Sequence, residues 1–229
     1  MEDLLSGKKH PSSSNPIPRV ITVANQKGGV GKTTTAINVA TCLAEIGNKV
    51  LIVDFDPQAN ATSAVGIEPG TFQESIYEIL LEQSDINKCI LSTEWTGLSI
   101  APATRDLSGA EIELVSAFNR ERFLKNVIEK VIDQYDYVFI DCPPSIGLLT
   151  VNALTAADEV LVPIQCEYLA LEGLGQLLSN VEKVKTHLNE RLHISMIALV
   201  MFDGRTKLST QVVQEVRGHF GDKVCNQII

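Results

Sequence analysis

A short glycine-rich segment, Lys27-Gly28-Gly29-Val30-Gly31-Lys32-Thr33-Thr34, contains the residue types that bind the phosphates of a nucleotide. It follows an apolar, strand-like run over residues 20–24 and opens a helix-like run over residues 34–46. Glycines let backbone N–H groups converge on phosphate oxygens, and the start of a helix favours an anion. In such a loop Lys32 reaches the β- and γ-phosphates, and the Thr33 hydroxyl binds Mg²⁺. The segment therefore predicts a phosphate-binding loop rather than a tight turn without a ligand.

Aspartates stand at the ends of two other apolar runs. Asp54 and Asp56 are two residues apart, so an extended backbone would point both side chains to the same side. A buried strand excludes Asp unless the carboxylate is paired, hydrogen-bonded or near a metal, and the alternative is a pair of turn and cap aspartates before Pro57. Asp141 ends a third apolar run, which is typical of the Walker B aspartate of a Mg²⁺ site. Together the three segments predict a P-loop nucleotide site.

The elements that must position these residues alternate along the chain. Apolar runs predict strands at residues 20–24, 49–55, 99–101, 135–141, 159–164, 194–202 and 224–229. Helical patterns occur at residues 34–46, 73–81, 123–132, 171–188 and 209–220. Alternation of this kind predicts an α/β fold with a doubly wound, mostly parallel sheet flanked by helices. Ligands of such sheets bind at the carboxyl ends of the strands, where the three segments lie.

Length and composition favour one soluble domain. A chain of 229 residues with 45% hydrophobic content can bury one sizeable core, which we place at residues 19–229. Residues 1–18 are rich in Ser, Pro and Lys and lack the apolar core of a signal peptide, so they are expected to form a mobile tail. No apolar run reaches the roughly 18 residues of a membrane span. Five scattered cysteines without metal-site spacing indicate reduced thiols and a cytoplasmic protein.

Charge gives a weak indication about partners. The net charge of −9 argues against nucleic acid, but binding follows local patches rather than the total. Residues 203–229 carry four Lys or Arg against three Asp or Glu, so any basic surface is expected late in the chain. Arg205 lies in a polar turn there. From these residues alone, the favoured interpretation is an ion pair with Asp203 on a solvated loop.

Four stretches resemble one family of nucleotide-dependent proteins: NQKGGVGKTTTAINVA, VDFDPQANAT, FIDCPPSIGLLTVNAL and PIQCEYLALEGL. They are similar to the ParA/Soj-type partition ATPases, of the MinD/ParA class with a deviant Walker A loop. The first glycine of that loop is replaced by Gln26, and Lys27 is added before the glycine pair. The resemblance covers residues 19–229. It implies ATP and Mg²⁺ as cofactors, an ATP-dependent sandwich homodimer that binds nonspecific DNA at the nucleoid, and a ParB-type centromere-binding partner that stimulates hydrolysis.

The resemblance also implies roles for single residues. It assigns nucleotide binding to Lys27, Gly28, Gly29, Val30, Gly31, Lys32, Thr33 and Thr34. It assigns the metal shell to Thr33, Asp54 and Asp141, and catalysis to Lys27, Lys32 and Asp56. In the family, the lysine at position 27 reaches the partner subunit's nucleotide site, and the aspartate at position 56 positions the attacking water. Residues 143–147 match the second switch, and Arg205 matches the DNA-binding arginine of a D-x-R-T segment.

Other functions remain open from the residues. The family continues past a final Ile-Ile into a Pro-, Arg- and Asn-rich segment and a helix, so the resemblance implies a shortened chain at Ile229 that lacks this segment. A membrane-cycling MinD-like ATPase would need a C-terminal amphipathic helix, which this sequence does not contain. A noncatalytic nucleotide switch is a second alternative, against which Asp56 argues. A reductase of the nitrogenase iron-protein kind would need bridging cysteines, and the five cysteines here lack that spacing.

Overall fold

The computed structural model of the protein describes residues 17–82, 84–167 and 170–229. Of the predicted tail, residues 1–16 lie outside the described residues. The strands are β1 (Arg19–Val23), β2 (Val50–Asp54), β3 (Leu91–Ser92), β4 (Leu98–Ala101), β5 (Tyr137–Asp141), β6 (Glu159–Gln165), β7 (His193–Val200) and β8 (Val224–Ile228). The α-helices are α1 (Lys32–Glu45), α2 (Asn60–Ala64), α3 (Ile76–Glu82), α4 (Leu107–Glu113), α5 (Phe123–Ile128), α6 (Leu148–Ala156), α7 (Ala170–His187) and α8 (Lys207–Phe220). Single turns of 3-10 helix lie at Ile86–Lys88, Leu114–Ser116, Arg120–Arg122, Ile132–Gln134 and Gly221–Lys223.

The strands form one sheet in the order β3-β4-β2-β5-β1-β6-β7-β8. The β3–β4 ladder is antiparallel and the other ladders are parallel, which confirms the predicted fold class. Strand β5 lies between β2 and β1, and its last residue, Asp141, pairs in register with Asp54 on one side and Val23 on the other. The three strand ends that the sequence singled out are therefore neighbours at one edge of the sheet.

Two hydrophobic cores cover the two faces of the sheet. Side chains of a strand alternate between faces, so Leu51 and Val53 pack in one core while Val50 and Ile52 pack in the other. The second core is closed by α1, whose buried face includes three alanines at four-residue spacing, Ala36, Ala40 and Ala44. Small side chains on that face let α1 pack closely against the sheet, which fixes the position of its first turn.

The sequence patterns missed several elements. No helix was predicted at α2, α4 or α6, and β3 was not predicted as a strand. The helix pattern over residues 123–132 was too long, because α5 ends at Ile128 and a 3-10 turn follows at Ile132–Gln134. Val131 is nevertheless buried, so an apolar residue can satisfy the pattern by packing on the sheet without being helical. Within the described ranges, no helix combines the length and apolarity that a membrane crossing requires.

Candidate nucleotide-binding site

The loop between β1 and α1 has the backbone geometry of a phosphate cradle. Gly29 and Gly31 have φ angles of 74° and 77°, in the left-handed region that glycine adopts readily. Gly31 precedes α1, which begins at Lys32, and the Gly31 carbonyl accepts the first helical hydrogen bond from the Thr35 N–H at 2.8 Å. The N–H groups in the first turn of a helix lack intrahelical partners. This loop can therefore present several N–H groups to an anion.

Lys32 is a buried lysine at the start of α1, with 6% of its surface exposed. Its Nζ donates a hydrogen bond to the Lys27 carbonyl oxygen at 3.2 Å, which arches the side chain back over the loop. Burial lowers the pKa of Lys32, and the nearby Asp141 and Asp56 carboxylates oppose that shift. A desolvated ammonium beside a glycine loop favours a multiply charged anion, because such a ligand replaces the lost hydration.

Asp141, at the end of β5, is the most under-satisfied acidic group in the site. It is fully buried, and neither carboxylate oxygen has a hydrogen-bond partner in the part of the chain that the structure describes. Burial raises the pKa of Asp141 to about 7, and the Thr33 hydroxyl and Lys32 oppose this shift. A buried carboxylate without partners is costly, so the site fits a cation.

Magnesium suits this donor set. Mg²⁺ is bound by oxygen ligands, and it usually takes one or two carboxylates together with substrate phosphates and waters. Thr33 and Asp141 offer a hydroxyl and a carboxylate of this kind beside the glycine loop. Among the described residues, no group of three or more His, Cys, Asp and Glu forms a metal cluster. A site completed by phosphate oxygens does not require one.

The two aspartates after β2 have different surroundings. Asp54 is fully buried, and its Oδ2 accepts hydrogen bonds from the Thr62 backbone N–H and from the Thr62 hydroxyl, both at 2.7 Å. Its Oδ1 accepts a hydrogen bond from the Asp56 N–H at 3.3 Å, and burial raises the pKa of Asp54 to about 6. Asp54 thus holds the loop and the start of α2. A role of Asp54 as a metal ligand stays a prediction. The geometry favours Asp141 as the carboxylate that contacts the metal directly, because both Asp54 oxygens already accept hydrogen bonds.

Asp56 instead faces the open space beside the glycine loop. It lines a cavity of about 680 Å³, and its Oδ1 accepts a hydrogen bond from the Gln58 N–H at 2.9 Å. That cavity brings together most of the predicted loop with Asp56 and residues from two later segments. Its walls are Gly28, Gly29, Gly31, Lys32, Thr33, Thr34, Ile37, Asn38, Asp56, Gln58, Asn60, Ala64, Pro144 and Met201. Val30, also predicted to bind nucleotide, has a buried side chain and can contribute through its backbone.

The Lys27 side chain forms an ion pair within its own chain. Its Nζ forms an ion pair with the Glu167 carboxylate, which lies just past the end of β6. The Lys27 backbone N–H also donates to the Asn25 side-chain oxygen at 3.0 Å. A role across a subunit interface therefore requires Lys27 to exchange Glu167 for a group of the neighbouring subunit.

Arg205 has the ion pair that its sequence surroundings favoured. Its Nε lies 2.9 Å from Asp203 Oδ1, and a terminal guanidinium nitrogen lies 2.7 Å from Oδ2. The Arg205 side chain is 90% exposed, on the turn between β7 and α8. A solvent-exposed pair of this kind contributes little to stability, so its partner can be exchanged for another anion. DNA binding by Arg205 stays a prediction.

Three residues near the site were not predicted from the sequence. Thr62 donates hydrogen bonds to the Asp54 carboxylate, and Glu167 forms the ion pair with Lys27. Met201 lines the cavity, and its φ of 55° is uncommon for a residue other than glycine. Glu167 lies inside the stretch PIQCEYLALEGL, so its place in a family motif was the available signal.

Known proteins resemble the chain over most of its length. A family model described as an AAA domain matches residues 18–194. The sporulation initiation inhibitor protein Soj of Bacillus subtilis is 53% identical over 211 residues, which cover 92% of this chain and 83% of Soj. The chromosome partitioning protein ParA of Myxococcus xanthus is 51% identical over 213 residues, which cover 93% of this chain and 75% of that protein.

A solved structure has the same fold. It is the structure of cobyrinic acid a,c-diamide synthase from Mycobacterium smegmatis with a bound ATP analog and magnesium, and it matches with a TM-score of 0.84 and 40% identity. The match covers 90% of this chain and 84% of that one. The phosphate loop, the strand-end aspartates and the two close relatives lead to the same assignment. The chain belongs to the ParA/Soj family of chromosome-partitioning P-loop ATPases.

Proposed function

We propose that this protein is a Mg²⁺-dependent ATP hydrolase of DNA partitioning, which works at the nucleoid in the cytoplasm. ATP binding produces a sandwich homodimer that binds DNA without sequence preference, and a ParB-type partner stimulates hydrolysis and release. The observation that carries the proposal is the convergence of Lys32, Asp56 and the buried Asp141 carboxylate at one edge of the sheet, beside a glycine loop.

The chain's own groups divide the work at this site. Residues 28–34 bind the phosphates through backbone N–H groups, and Lys32 adds a positive charge at the β- and γ-phosphates. Thr33 and Asp141 hold Mg²⁺, which neutralises charge on the transferring phosphoryl group. The solved relative with a bound ATP analog and magnesium supports both ligands. Asp56, which lines the cavity, orients the attacking water. Phosphoryl transfer depends mainly on such positioning and on charge stabilisation.

One assay tests the proposal directly. ATP turnover is measured with Mg²⁺ and with EDTA, in the presence and absence of duplex DNA and of a ParB-type peptide. We expect Mg²⁺-dependent turnover that rises when DNA and peptide are both present. Binding of ATP without turnover under every condition would instead indicate the noncatalytic switch. Binding to lipid vesicles in place of DNA would indicate a MinD-like cycle.

Lys27→Ala is expected to separate ATP binding from dimerisation. A cation in this position stabilises charge on the phosphoryl group of the neighbouring site, as arginine fingers do. We expect the variant to bind ATP but to lose the ATP-dependent dimer, as measured by sedimentation. Its rate of ATP hydrolysis should fall to about one tenth of the parent rate or lower. The control is Lys49→Ala, which removes an exposed lysine at the amino end of β2, on the opposite edge of the sheet. A monomeric Lys27→Ala variant that hydrolyses at the parent rate would refute the role.

Arg205→Ala is expected to weaken DNA binding equally for unrelated sequences. A phosphate contact adds affinity by counterion release, and a homodimer supplies the residue twice. The slope of log DNA affinity against log salt concentration should therefore become smaller in magnitude by about two. The experiment compares DNA affinity of the ATP-bound dimers over a range of salt.

Arg191→Ala is a matched control for that experiment. Arg191 is also an exposed arginine paired with an aspartate, Asp158, at 3.0 Å, but it lies just before β7, at the opposite edge of the sheet. DNA affinity should be unchanged in this variant. Equal affinity of Arg205→Ala and the parent, with dimerisation intact, would leave Arg205 as a solvated ion pair.

A further inference from the structure

The start of α6 is capped by a side chain from a different helix. Gly147, the residue that precedes α6, has no side chain with which to cap it. Instead the Leu149 backbone N–H donates to Oε1 of Glu111, from α4, at 3.4 Å. The first N–H groups of a helix lack intrahelical partners, and a negative charge near them is favourable. Glu111 therefore performs the capping role that a local Ser, Thr or Asp performs elsewhere.

Gly147 provides the space that this cap requires. Its backbone is extended, with φ −113° and ψ −169°, so any residue could adopt the conformation. A Cβ built on Gly147 would overlap the Glu111 carboxylate, and the three nearest described atoms all belong to Glu111. A Cβ at this position would therefore displace the flexible end of Glu111 and leave the backbone unstrained.

The capped helix controls one end of the loop beside the cavity. Residues 143–147 connect the site at Asp141 to α6, and Pro144 lines the nucleotide cavity. The loop is exposed at Pro144 and Ser145, whereas Leu149 and Thr150 are buried. The Thr150 hydroxyl donates to the Ser145 carbonyl at 2.6 Å and ties the first turn of α6 back to the loop. The place where α6 begins therefore sets the position of the loop against the cavity.

We propose that Glu111 is a positioning residue for ATP hydrolysis, which acts by capping α6 and so holding the loop of residues 143–147 in place. The inference rests on the hydrolase activity proposed above. Glu111 acts on this loop through α6, so its loss should slow the chemical step more than it weakens ATP binding. The expected signature is a lower kcat with little change in KM.

A double-mutant cycle isolates the contact. Glu111→Ala removes the cap, and Gly147→Ala displaces the Glu111 carboxylate, so each single change is expected to lower kcat about five- to tenfold. The double variant should be no slower than Gly147→Ala alone, because the cap is already lost in that variant and the new Cβ fits where the carboxylate was. The intrinsic effect of alanine at a cap position is present in both backgrounds and cancels in the cycle. Gly175→Ala, at an exposed position of α7 where a Cβ meets no described atom within 4 Å, is the control and should keep the parent kcat.

Hydrogen exchange of the nucleotide-free protein gives a readout that does not depend on turnover. The amides at the start of α6 should exchange faster in Glu111→Ala, and Glu111→Gln, which keeps an acceptor oxygen, should restore most of the protection. Additive losses of kcat in the cycle, or unchanged exchange at Leu149 in Glu111→Ala, would overturn the proposal. A parent protein that hydrolyses no ATP would contradict the proposed function instead, while the exchange data still decide whether Glu111 caps α6.

Discussion

Lys32→Ala is expected to cause a large loss of ATP affinity while leaving the fold intact. The Lys32 ammonium is buried at the glycine loop and already desolvated, so it meets phosphate oxygens without a further hydration cost. Removing one partner of a buried charge pair costs roughly 3–5 kcal/mol, which corresponds to a loss of about 100-fold or more in affinity. The measurement is calorimetric titration of the nucleotide-free protein with ATP and Mg²⁺.

Thermal unfolding separates this effect from misfolding. ATP should raise the melting temperature of the parent, since a ligand that binds only the folded state stabilises it. ATP should not raise the melting temperature of Lys32→Ala. Without nucleotide the variant should melt no lower than the parent, because the deleted group is a desolvated charge whose hydrogen bond to the Lys27 carbonyl replaces only part of its hydration. Lys32→Met, which keeps most of the side-chain volume, is the packing control and should behave in the same way. Unchanged ATP affinity in either variant would contradict the assignment.

The strands that carry the candidate site were predicted well from the sequence, because they are buried apolar runs. Buried apolar runs identified β1, β2 and β5 within about two residues, as expected for fully buried strands. Parallel pairing then required their carboxyl ends to share an edge. Which strands are neighbours could not be deduced, and the register that places Asp54 opposite Asp141 is a tertiary result.

The sequence patterns missed elements that lack a polar face and elements that are short. Every residue of α6 is buried or half-buried, so the run Leu148–Ala156 has no periodic contrast to mark it as a helix. Helix α2 has five residues, too few to show a period, and it is held by the hydrogen bonds between Thr62 and Asp54. Short helices of this kind depend on tertiary contacts rather than on propensity.

Long-range side-chain pairs also lay beyond local patterns. Lys27 and Glu167 are far apart in the sequence, as are Glu111 and Leu149, and no spacing rule relates them. The Arg205–Asp203 pair is the opposite case. Its members are two residues apart in a turn, and the sequence alone favoured that pairing.

Asp56→Ala is expected to keep ATP binding and lose hydrolysis. Asp56 lines the cavity but does not belong to the glycine loop, and its predicted role is to orient water. Loss of that orientation should lower kcat by about 100-fold or more, because positioning supplies much of the catalysis in phosphoryl transfer. ATP affinity should stay close to the parent value, so a dimer with unhydrolysed ATP should accumulate. The measurement combines single-turnover hydrolysis with sedimentation of the ATP-bound protein.

Asp56→Asn shows whether the loss comes from chemistry or from a disordered loop. Asp56 Oδ1 accepts a hydrogen bond from the Gln58 N–H, and the asparagine oxygen can keep that bond while the negative charge is removed. If the carboxylate acts on water, Asn and Ala variants should both hydrolyse slowly and both bind ATP. If the carboxylate only shapes the loop, the Asn variant should recover most of the parent rate. If either variant fails to bind ATP, Asp56 belongs with Lys32 in binding the nucleotide, and the attacking water must be oriented by another group.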